Sequence, residues 1–417
     1  MRGLAPVPAV LDVLDRRLLA NSERPLAVAI SGGGDSAALL LAAQAWANWR
    51  GRRLLALAVD HRLQPQSGAW IAACANLAQR AGADFQALAW TGEKPATGLP
   101  AAARQARHRL LAEAARAAGA RVLLLGHTAD DVLEARAMRR AGSTTPEPRE
   151  WAPSPAWPQG RGLFLLRPLL ALRRAALRDR LVEAGVDWIE DPANADLRYA
   201  RARARAALAD DETAPPAEPD TPLTLARDLA TLPGGGFRMA RPAFRAAPEL
   251  ERERLLALAS VCAGGASRPP RRDAVARLAL SVSGSGRLDA TLAGARIVAE
   301  DDSLSLVRNP GEAARGGLAP LRLSAHSTGV WDGRLEVTAG PQPVEVRALA
   351  GVAAHLPQEQ RRALARIPAI ARGALPVVVG PDGVLSCPLL GEGLARAVPL
   401  TAQRLEAAAG LVEREPG

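Results

Sequence analysis

A run of six small or acidic residues stands between an apolar stretch and an Ala/Leu-rich stretch. Its composition is typical of a site that binds a phosphate group. The run consists of Ser31, Gly32, Gly33, Gly34, Asp35 and Ser36. Its glycines let backbone N–H groups close around an anion, and a helix that begins there adds the partial positive charge of its N-terminus. Asp35 would repel phosphate unless a cation lay between them, so the run predicts a polyphosphate site with Mg²⁺ at Asp35. The absence of a Gly-Lys-Ser/Thr sequence excludes the P-loop usual in kinases and GTPases.

A second polar cluster follows another apolar stretch and opens a helical one. It consists of His127, Asp130, Asp131 and Glu134. Residues three or four apart lie on one helix face, so Glu134 shares a face with both aspartates. Three carboxylates this close together repel one another unless a cation lies among them. The available cations are Mg²⁺ and the ammonium group of a substrate, and the residues alone leave both open.

Arginines form two further candidate sites. Arg104 and Arg107 are three residues apart and lie on one helix face, which suits an incoming polyphosphate or an RNA phosphate. Arg201, Arg203 and Arg205 alternate along the chain and could grip an RNA backbone whether that segment is extended or helical. The alternative for both sets is a solvated basic surface, and for the second set it is the stronger interpretation from the residues alone.

The overall charge also favours a polyanionic partner. The chain of 417 residues has 53 Lys and Arg against 43 Asp and Glu, a net charge of +10, and Lys94 is its single lysine. Each phosphate that such a protein neutralises releases counterions and adds affinity that is independent of sequence. Codon usage in a GC-rich genome is the alternative explanation for the excess of arginine.

Other features of the composition exclude whole classes of protein. The cysteines, Cys74, Cys262 and Cys387, are too far apart for a disulfide framework or a Cys-x-x-Cys metal site, and we expect no protein-ligated transition metal. No apolar run reaches the roughly 18 residues of a membrane helix. The first residues include acidic side chains and lack the long apolar region of a signal peptide. We therefore expect no membrane contact and a cytosolic location.

Apolar runs alternate with amphipathic ones through the first half of the chain. Strands are predicted at Leu26–Ile30, Leu54–Val59, Phe85–Trp90 and Arg121–Gly126, and helices at Ala37–Arg50, Ala69–Ala81 and Arg104–Ala118. This alternation predicts an α/β fold with a doubly wound, mostly parallel sheet. Ligands bind beyond the carboxyl ends of the strands in such sheets, and the Gly-rich run and the carboxylate cluster both follow predicted strands.

The order of these blocks resembles a known family. Residues 31–36 match the Ser-Gly-Gly-x-Asp-Ser pattern of the PP-loop ATP pyrophosphatases, a Rossmann-like fold. Asp60 and His61 match a pattern of the tRNA(Ile)-lysidine synthetases within that superfamily, and residues 127–134 are similar to the family's His-x-x-Asp-Asp-x-x-Glu block. Further matches are Arg167–Leu170, Asp191–Asn194 and Tyr199. The resemblance implies ATP with Mg²⁺, free L-lysine and an isoleucine tRNA with a CAU anticodon as partners. It also implies that lysine is joined to C2 of cytidine 34 through an adenylylated intermediate, with release of pyrophosphate and AMP.

The same resemblance implies a role for each candidate residue. ATP is expected on residues 31–36 together with Asp60, His61 and His127, and lysine near Asp131 and Glu134. The implied catalytic residues are Asp35, Arg104, Arg107, Asp130, Asp131 and Glu134, and the implied tRNA-binding residues are Arg201, Arg203 and Arg205. Lysine must lose a proton before it attacks, and any of the three clustered carboxylates could accept it.

Some residues depart from the family pattern. Pro100 stands where the family usually has Glu, His108 where it has Tyr, and Ala135 where it has Thr. The family's Arg-Gly-Ser-Gly is Arg140-Ala141-Gly142-Ser143 in this chain. Pro100, Ala135 and this altered segment suggest one alternative, a non-catalytic tRNA-binding paralogue, and the intact Gly-rich run and carboxylate cluster argue against it. A PP-loop tRNA thiolase is a second alternative, and the lack of a nearby pair of cysteines argues against it. The oligomeric state is left open, with a homodimer as one alternative.

Two Pro-rich segments suggest how the chain is divided. Residues 143–162 contain two tryptophans and no periodicity, and we interpret them as a long loop that acts as a lid or contacts RNA. An acidic, Pro-rich linker is predicted at Asp210–Pro222. The expected domains are a PP-loop catalytic domain at 1–208, a mainly helical tRNA-contacting domain at 209–311 and a small mixed α/β domain at 312–417.

Overall fold

The computed structural model describes residues 7–143, 145–191, 196–198, 200–208 and 221–417. Residues 192–194 and Tyr199, which match the family pattern, lie outside the described residues, as does most of the predicted linker. The chain divides into two compact units, Met1–Asp220 with Val412–Gly417 and Thr221–Leu411.

The first unit contains alternating helices and strands. In chain order they are α1 (Pro8–Arg17), β1 (Leu26–Ile30), α2 (Gly34–Arg50), β2 (Leu54–Asp60), α3 (Ser67–Arg80), β3 (Asp84–Ala89), α4 (Leu99–Ala117), β4 (Val122–Leu124), α5 (Ala129–Arg140), β5 (Trp151–Pro153), β6 (Phe164–Leu166), α6 (Arg174–Glu183) and α7 (Ala200–Ala207). The four strands and three helices predicted for this region are confirmed, with ends that differ by a few residues.

These strands form a six-stranded sheet in the order β3-β2-β1-β4-β6-β5. Neighbouring strands are parallel except for β5, which runs antiparallel to β6. In the parallel register Val28 of β1 pairs with Ala56 on one side and with Leu124 on the other. The chain winds outward from β1 through β2 and β3, and then returns to place β4 on the other side of β1. The carboxyl ends of β1 and β4 therefore border the crevice in which doubly wound sheets bind ligands.

The amino-acid content explains the core of this sheet. Strands that are covered by helices on both faces read as continuous apolar runs, and the LAVAI sequence of β1 is an example. Aromatic residues make up 3% of the chain, and a core cluster around Leu57, Leu111 and Leu165 is built from buried Leu and Ala side chains alone. No helix among the described residues is long and apolar enough to cross a membrane.

The Pro- and Trp-rich segment at 143–162 is not one long loop, and that interpretation was wrong for its central part. β5 lies within it and pairs with β6, so that Trp151 stands opposite Leu166. The ring of Trp151 is buried and stacks on Phe164 with 4.7 Å between the ring centroids. β5 is an edge strand of three residues and has few apolar contacts of its own. The stacked pair of Trp151 and Phe164 therefore holds it against β6.

Residues 412–417 belong to the first unit through a buried ion pair. The Arg52 guanidinium donates to both carboxylate oxygens of Glu415, at 2.8 and 2.5 Å, and both side chains are almost fully buried. Glu415 Oε2 also accepts the backbone N–H of Leu19 at 3.0 Å, and Trp151 Nε1 donates to the carbonyl of Val412 at 2.7 Å. These hydrogen bonds compensate the burial of the two charges, which would be costly if either were left unpaired.

The second unit is mixed α/β. In chain order its main elements are β7 (Ala230–Leu232), β8 (Gly236–Ala240), α8 (Arg241–Ala246), α9 (Glu249–Gly264), α10 (Arg272–Ser283), β9 (Leu288–Leu292), β10 (Ala295–Ala299), β11 (Ser303–Arg308), β12 (Leu321–Leu323), β13 (Thr328–Trp331), β14 (Leu335–Ala339), β15 (Val344–Ala348), α11 (Gln358–Ala365), α12 (Ala369–Arg372), β16 (Pro376–Val379), β17 (Leu385–Ser386), β18 (Ala395–Pro399) and α13 (Thr401–Ala408). Its sheets have the orders β7-β8-β11-β10-β9, β12-β15-β16-β17 and β13-β14-β18.

The first part of this unit holds more sheet than the sequence suggested. Helical periodicity is clearest at Leu250–Val261 and Arg272–Leu280, and α9 and α10 confirm it. These helices pack with a five-stranded antiparallel sheet in a region expected to be mainly helical. The pattern at Arg287–Val307 predicts two or more short strands, and β9, β10 and β11 confirm them. β7 and β8 were not predicted, because strands of three and five residues leave a weak periodic signal. The domain boundaries at 208 and 311 stay a prediction.

Candidate active site

The Gly-rich run forms a closed turn between β1 and α2. The N–H of Ser31 donates to Oγ of Ser36 at 3.2 Å, and Ser36 Oγ donates to the carbonyl of Gly33 at 2.8 Å. The two serine hydroxyls are 3.3 Å apart. α2 begins at Gly34, and the N–H groups of its first turn have no partner within the helix. The turn therefore offers backbone donors and a helix N-terminus that could receive an anion, and the binding of phosphate there stays a prediction.

A short segment after α6 packs against this turn. The N–H of Ile189 donates to the carbonyl of Gly32 at 2.9 Å. Gly32 has a φ of +82°, and a Cβ added there would stand 2.4 Å from Cδ1 of Ile189. The ring of Trp188 lies in van der Waals contact with the Cβ position of Gly34. Gly32 is therefore required twice, by the left-handed backbone and by the close approach of Ile189.

Asp35 lies in the first turn of α2, next to this anion site. Its Oδ2 accepts a hydrogen bond from Nε of Arg174 at 2.9 Å, while Oδ1 is buried and has no hydrogen-bond partner among the described residues. Burial raises the pKa of the Asp35 carboxyl in spite of the nearby arginine. Within the described part of the chain, no group of three or more His, Cys, Asp or Glu side chains could hold a metal. The free oxygen fits Mg²⁺, which uses one or two carboxylates and completes its shell with phosphate oxygens and water.

Asp130 and Asp131 open α5, and each caps a helix. Asp131 Oδ2 accepts the N–H of Thr128 at 2.7 Å and its hydroxyl at 3.1 Å, which holds the first turn of α5. Asp130 Oδ2 accepts the backbone N–H of Arg174 at 2.7 Å, and its other oxygen lies 3.1 Å from the Arg173 guanidinium. Asp130 therefore satisfies an N–H group in the first turn of α6.

Glu134 is the most enclosed carboxylate of the cluster, with 2% of its side chain exposed. Its Oε1 accepts from Arg205 Nε at 2.8 Å and from Arg174 Nη1 at 3.3 Å, and its Oε2 accepts from Arg201 Nε at 2.7 Å. Arg201 also donates to Asp131. Burial would raise the pKa of Glu134, but the hydrogen bonds from Arg205 and Arg201 outweigh it and lower that pKa. The carboxyl group is thereby held in its charged form.

The arginine run of α7 divides into two faces. Arg201 and Arg205 are four residues apart, lie on one helix face and turn towards the carboxylates of α5. Arg203 is exposed and donates to the carbonyls of Leu197 and Arg198 at 2.8 and 2.9 Å. The structure thus brings two of the three predicted tRNA-binding arginines into the predicted lysine site.

Arg104 and Arg107 lie together on α4 and form a positive surface beside the cluster. Neither guanidinium has an ion pair or a hydrogen bond with a described residue. Arg104 is exposed and Arg107 is half-buried. Burial, together with the charges of Arg104 and Arg201, lowers the pKa of Arg107 to about 10, so the group remains charged at neutral pH. Asp131 is the nearby opposite charge for both, and two cations without a direct ion pair to a described residue suit an incoming anion.

The two histidines nearest to these arginines are held neutral. His127 Nδ1 accepts from Nε of Arg167 at 3.1 Å, and burial together with the charge of Arg167 lowers the pKa of His127 well below its usual value. His108 is buried on α4, and burial with the charges of Arg107, Arg104 and Arg167 lowers its pKa to about 3. Neutral imidazoles avoid adding further positive charge to this part of the site.

Asp60 and His61 lie at the carboxyl end of β2, the strand next to β1. Asp60 Oδ1 accepts the N–H of Arg62 at 2.8 Å, and its carbonyl accepts the N–H of Trp90 at 2.8 Å. His61 meets the edge of the Trp90 ring, with 5.9 Å between the centroids, and Lys94 Nζ lies 3.8 Å from the centroid of that ring. His61 Nδ1 is buried without a partner among the described residues. The pair is thus placed at the predicted edge of the sheet, and its contact with a nucleotide stays a prediction.

Arg174 is a residue of this cluster that sequence analysis did not single out. Its guanidinium contacts Asp35 of α2 and Glu134 of α5, and lies 3.7 Å from Asp131. A signal was present in the sequence, because Arg173 and Arg174 begin a helix whose first turn has no acidic residue. Basic residues are unfavourable at a helix N-terminus, so a pair of them there indicates an anionic partner elsewhere in the fold.

Comparisons with known proteins find similar sequences over most of the chain. The profile of the PP-loop domain family (ATP_bind_3) matches residues 10–212. The tRNA(Ile)-lysidine synthase of Caulobacter vibrioides is 51% identical over 413 residues, which cover 97% of this chain and 98% of that protein. The tRNA(Ile)-lysidine synthase of Mesorhizobium japonicum is 38% identical over 74% of this chain and 71% of that protein.

A solved structure is more distantly similar. The U34-tRNA thiolase of Methanococcus maripaludis has 14% sequence identity and a TM-score of 0.41, and the match covers 49% of this chain and 72% of that one.

Proposed function

The chain belongs to the tRNA(Ile)-lysidine synthase family, and on this premise we propose that it joins free L-lysine to C2 of cytidine 34 in an isoleucine tRNA with a CAU anticodon. In this reaction the C2 oxygen of the cytidine attacks the α-phosphate of ATP, and pyrophosphate leaves. The ε-amine of lysine then attacks C2 and AMP leaves. The protein has to position three substrates, neutralise phosphate charge and keep water from the adenylylated base.

ATP is assigned to the turn between β1 and α2. The backbone donors of this turn and the N-terminus of α2 would hold the phosphates, and Ile189 keeps the turn in its present shape. Asp35, through its unpartnered Oδ1, would hold a Mg²⁺ ion. When bound, the ion supplies positive charge that offsets the charge developing on the phosphates. Arg104 and Arg107 would bind the departing pyrophosphate or an RNA phosphate, since neither guanidinium has a direct ion pair with a described residue.

Lysine is assigned to Asp131 and Glu134. A buried carboxylate whose pKa is lowered binds an ammonium group well, but it is a poor acceptor for the proton that lysine must lose. In the present structure the guanidiniums of Arg201 and Arg205 occupy the carboxylate oxygens that an ammonium group would use. The binding of lysine therefore requires these side chains to give up part of their contact with Glu134.

The tRNA is assigned to the positively charged surface near this site. Arg203 faces solvent and can contact a phosphate directly, whereas Arg201 and Arg205 are held by carboxylates. Backbone contacts of this kind position an RNA without reading its bases. The net charge of +10 adds affinity that is independent of sequence.

The departures from the family pattern leave the charged groups of the site in place. Pro100 stands in the first turn of α4, where proline is tolerated because that N–H has no helical partner. Ala135 and His108 are buried and face away from solvent. These placements favour an active enzyme over a non-catalytic paralogue.

The thiols offer no support for a thiolase. All three cysteines are buried, and burial raises the pKa of Cys74 and Cys387 to about 11 and that of Cys262 to about 12. A thiol with so high a pKa is a poor nucleophile and metal ligand at neutral pH. The cytosolic location stays a prediction, and the oligomeric state stays open.

The observation that carries the proposal is the meeting of two substrate sites at one guanidinium. Asp35 beside the proposed phosphate site and Glu134 in the proposed ammonium site both contact Arg174, which supports a common centre for the α-phosphate and the lysine side chain. The test is nucleoside analysis of an isoleucine tRNA transcript with a CAU anticodon after incubation with the protein, MgATP and labelled lysine. A labelled nucleoside at position 34 is expected, and it should be absent when the anticodon is GAU. A thiolated nucleoside, or tRNA binding without any modified nucleoside, would overturn the proposal.

A further inference from the structure

Arg174 connects the two substrate sites through a single side chain. Its Nε donates to Asp35 at 2.9 Å, its Nη1 donates to Glu134 at 3.3 Å, and its Nη2 lies 3.7 Å from Asp131. The side chain is 13% exposed, so water screens these interactions only weakly. Burial opposes its charge, but the three carboxylates outweigh that effect and raise the pKa of Arg174.

The backbone of Arg174 is anchored, and its guanidinium stands at the end of a side chain with several rotatable bonds. Arg174 is the first residue of α6, and its backbone N–H is held by Asp130 at 2.7 Å. The guanidinium is planar and rigid, with Nε directed to one site and Nη1 to the other. A movement of the guanidinium towards Asp35 therefore lengthens its contact with Glu134, and a movement towards Glu134 lengthens its contact with Asp35.

We propose that Arg174 is a positioning residue that couples the two sites, so that a nucleotide bound at the Gly-rich turn increases the affinity of Asp131 and Glu134 for the lysine ammonium. The inference rests on the proposed function for the identity of the two ligands. MgATP carries a net negative charge, and its phosphates beside Asp35 draw the guanidinium towards the turn. Glu134 then loses one of its three positive partners, and an ammonium group can take that place. Because coupling between two binding sites is reciprocal, lysine strengthens nucleotide binding by the same factor.

The test measures lysine binding to the full-length protein by titration calorimetry, with and without Mg²⁺ and an ATP analogue that has a methylene group between the α- and β-phosphorus atoms. In the wild type the analogue should lower the Kd for lysine by roughly 5- to 150-fold, the usual range for such coupling. In Arg174→Gln this factor should fall to about one, since an uncharged side chain does not respond to the phosphates. Arg174→Lys should show an intermediate factor, because an ammonium group cannot reach both carboxylates at once.

Arg180→Gln is the matched control, since Arg180 lies in the last turn of the same helix, and it should keep the wild-type factor. The thermal unfolding of each variant shows whether it is folded. A full wild-type factor in Arg174→Gln would overturn the coupling role and leave the proposed function standing. If the wild type binds both ligands but the analogue leaves its Kd for lysine unchanged, the coupling role is likewise overturned and the proposed function stands. A wild type that binds neither lysine nor the analogue would overturn the proposed function as well.

Discussion

Nε of Arg205 lies 2.8 Å from Oε1 of Glu134, so a residue predicted to hold tRNA is a direct partner of a residue predicted to hold lysine. Arg201 makes the same kind of contact with the other oxygen of this carboxylate. Removing one member of a buried pair leaves the other charge uncompensated, and solvent screens only part of that effect at the exposed side of the guanidiniums. Substitutions on α7 are therefore expected to affect lysine binding as well as RNA binding.

Glu134→Gln should weaken lysine binding far more than ATP binding, because it removes the charge that pairs with the ammonium group. The loss of a buried charge pair costs about 2–4 kcal/mol, which corresponds to roughly thirty- to a thousandfold in affinity. The measurement is the dependence of nucleoside formation on lysine and on ATP, with Glu113→Gln on the exposed face of α4 as the control. Equal effects on both substrates would point to a metal-binding role for Glu134.

Asp35→Ala should abolish the release of pyrophosphate while tRNA binding stays nearly intact. The substitution removes the only carboxylate oxygen assigned to Mg²⁺ and one partner of Arg174. A pyrophosphate release assay and a tRNA filter-binding assay check the two parts, with Asp179→Ala on the exposed side of α6 as the control. Turnover within a few-fold of the wild type would show that the turn between β1 and α2 is not the ATP site.

Arg203→Ala should weaken tRNA binding and make its dependence on salt shallower. The loss of one phosphate contact reduces the slope of log affinity against log salt by about 0.7 for a single strand and about 0.9 for a duplex. Arg205→Ala should change this slope less, since Arg205 is held by Glu134, and should instead alter the lysine requirement. Equal slopes for Arg203→Ala and the wild type would mean that this arginine only faces solvent.

Gly32→Ala should lower the affinity for nucleotide, and the backbone strain of the substitution should account for only part of that loss. An alanine in the left-handed region costs roughly 1–2 kcal/mol, and at Gly32 the new Cβ would also displace Ile189. Gly82→Ala is the matched control, because Gly82 has a φ of +64° and nothing within 4 Å of the added Cβ. Both variants should lose thermal stability, and Gly32→Ala alone should lose affinity for the ATP analogue. A retained affinity would show that Ile189 does not shape the turn.

His108→Phe should make the protein less sensitive to acid. The pKa of His108 is about 3 in the folded state against about 6.5 in an unfolded chain, so the unfolded state takes up a proton first as the pH falls. The free energy of unfolding should decrease from about pH 6.5 downwards, by at most about 1.4 kcal/mol per pH unit for this residue. The charges that face His108 are those of Arg104, Arg107 and Arg167. Urea unfolding between pH 7.5 and 4.5 should show a shallower decline in His108→Phe, and parallel curves would contradict the prediction.

Local patterns determined the fold of the first unit and the position of its Gly-rich turn. The strands of the sheet are continuous apolar runs, and the helices are long enough to show their periodicity, so each element carried its own signal. The turn at Ser31–Ser36 was predictable for the same reason, since its glycines, its neighbouring strand and its helix are adjacent in the chain. The short strand β5 was missed because three residues contain no period to detect.

The tertiary structure decided which charges face one another. The spacing of Arg201 and Arg205 showed that they share a helix face, but not that this face meets Glu134, 67 residues earlier in the chain. Arg174 lies 139 residues after Asp35 and contacts it through the packing of α6 beside α2. The partner of a charged side chain depends on distances across the fold, and no periodicity along the chain encodes those distances. The sequence alone therefore identified the carboxylates of the predicted site but not Arg174, and the fold determined that this one guanidinium contacts both Asp35 and Glu134.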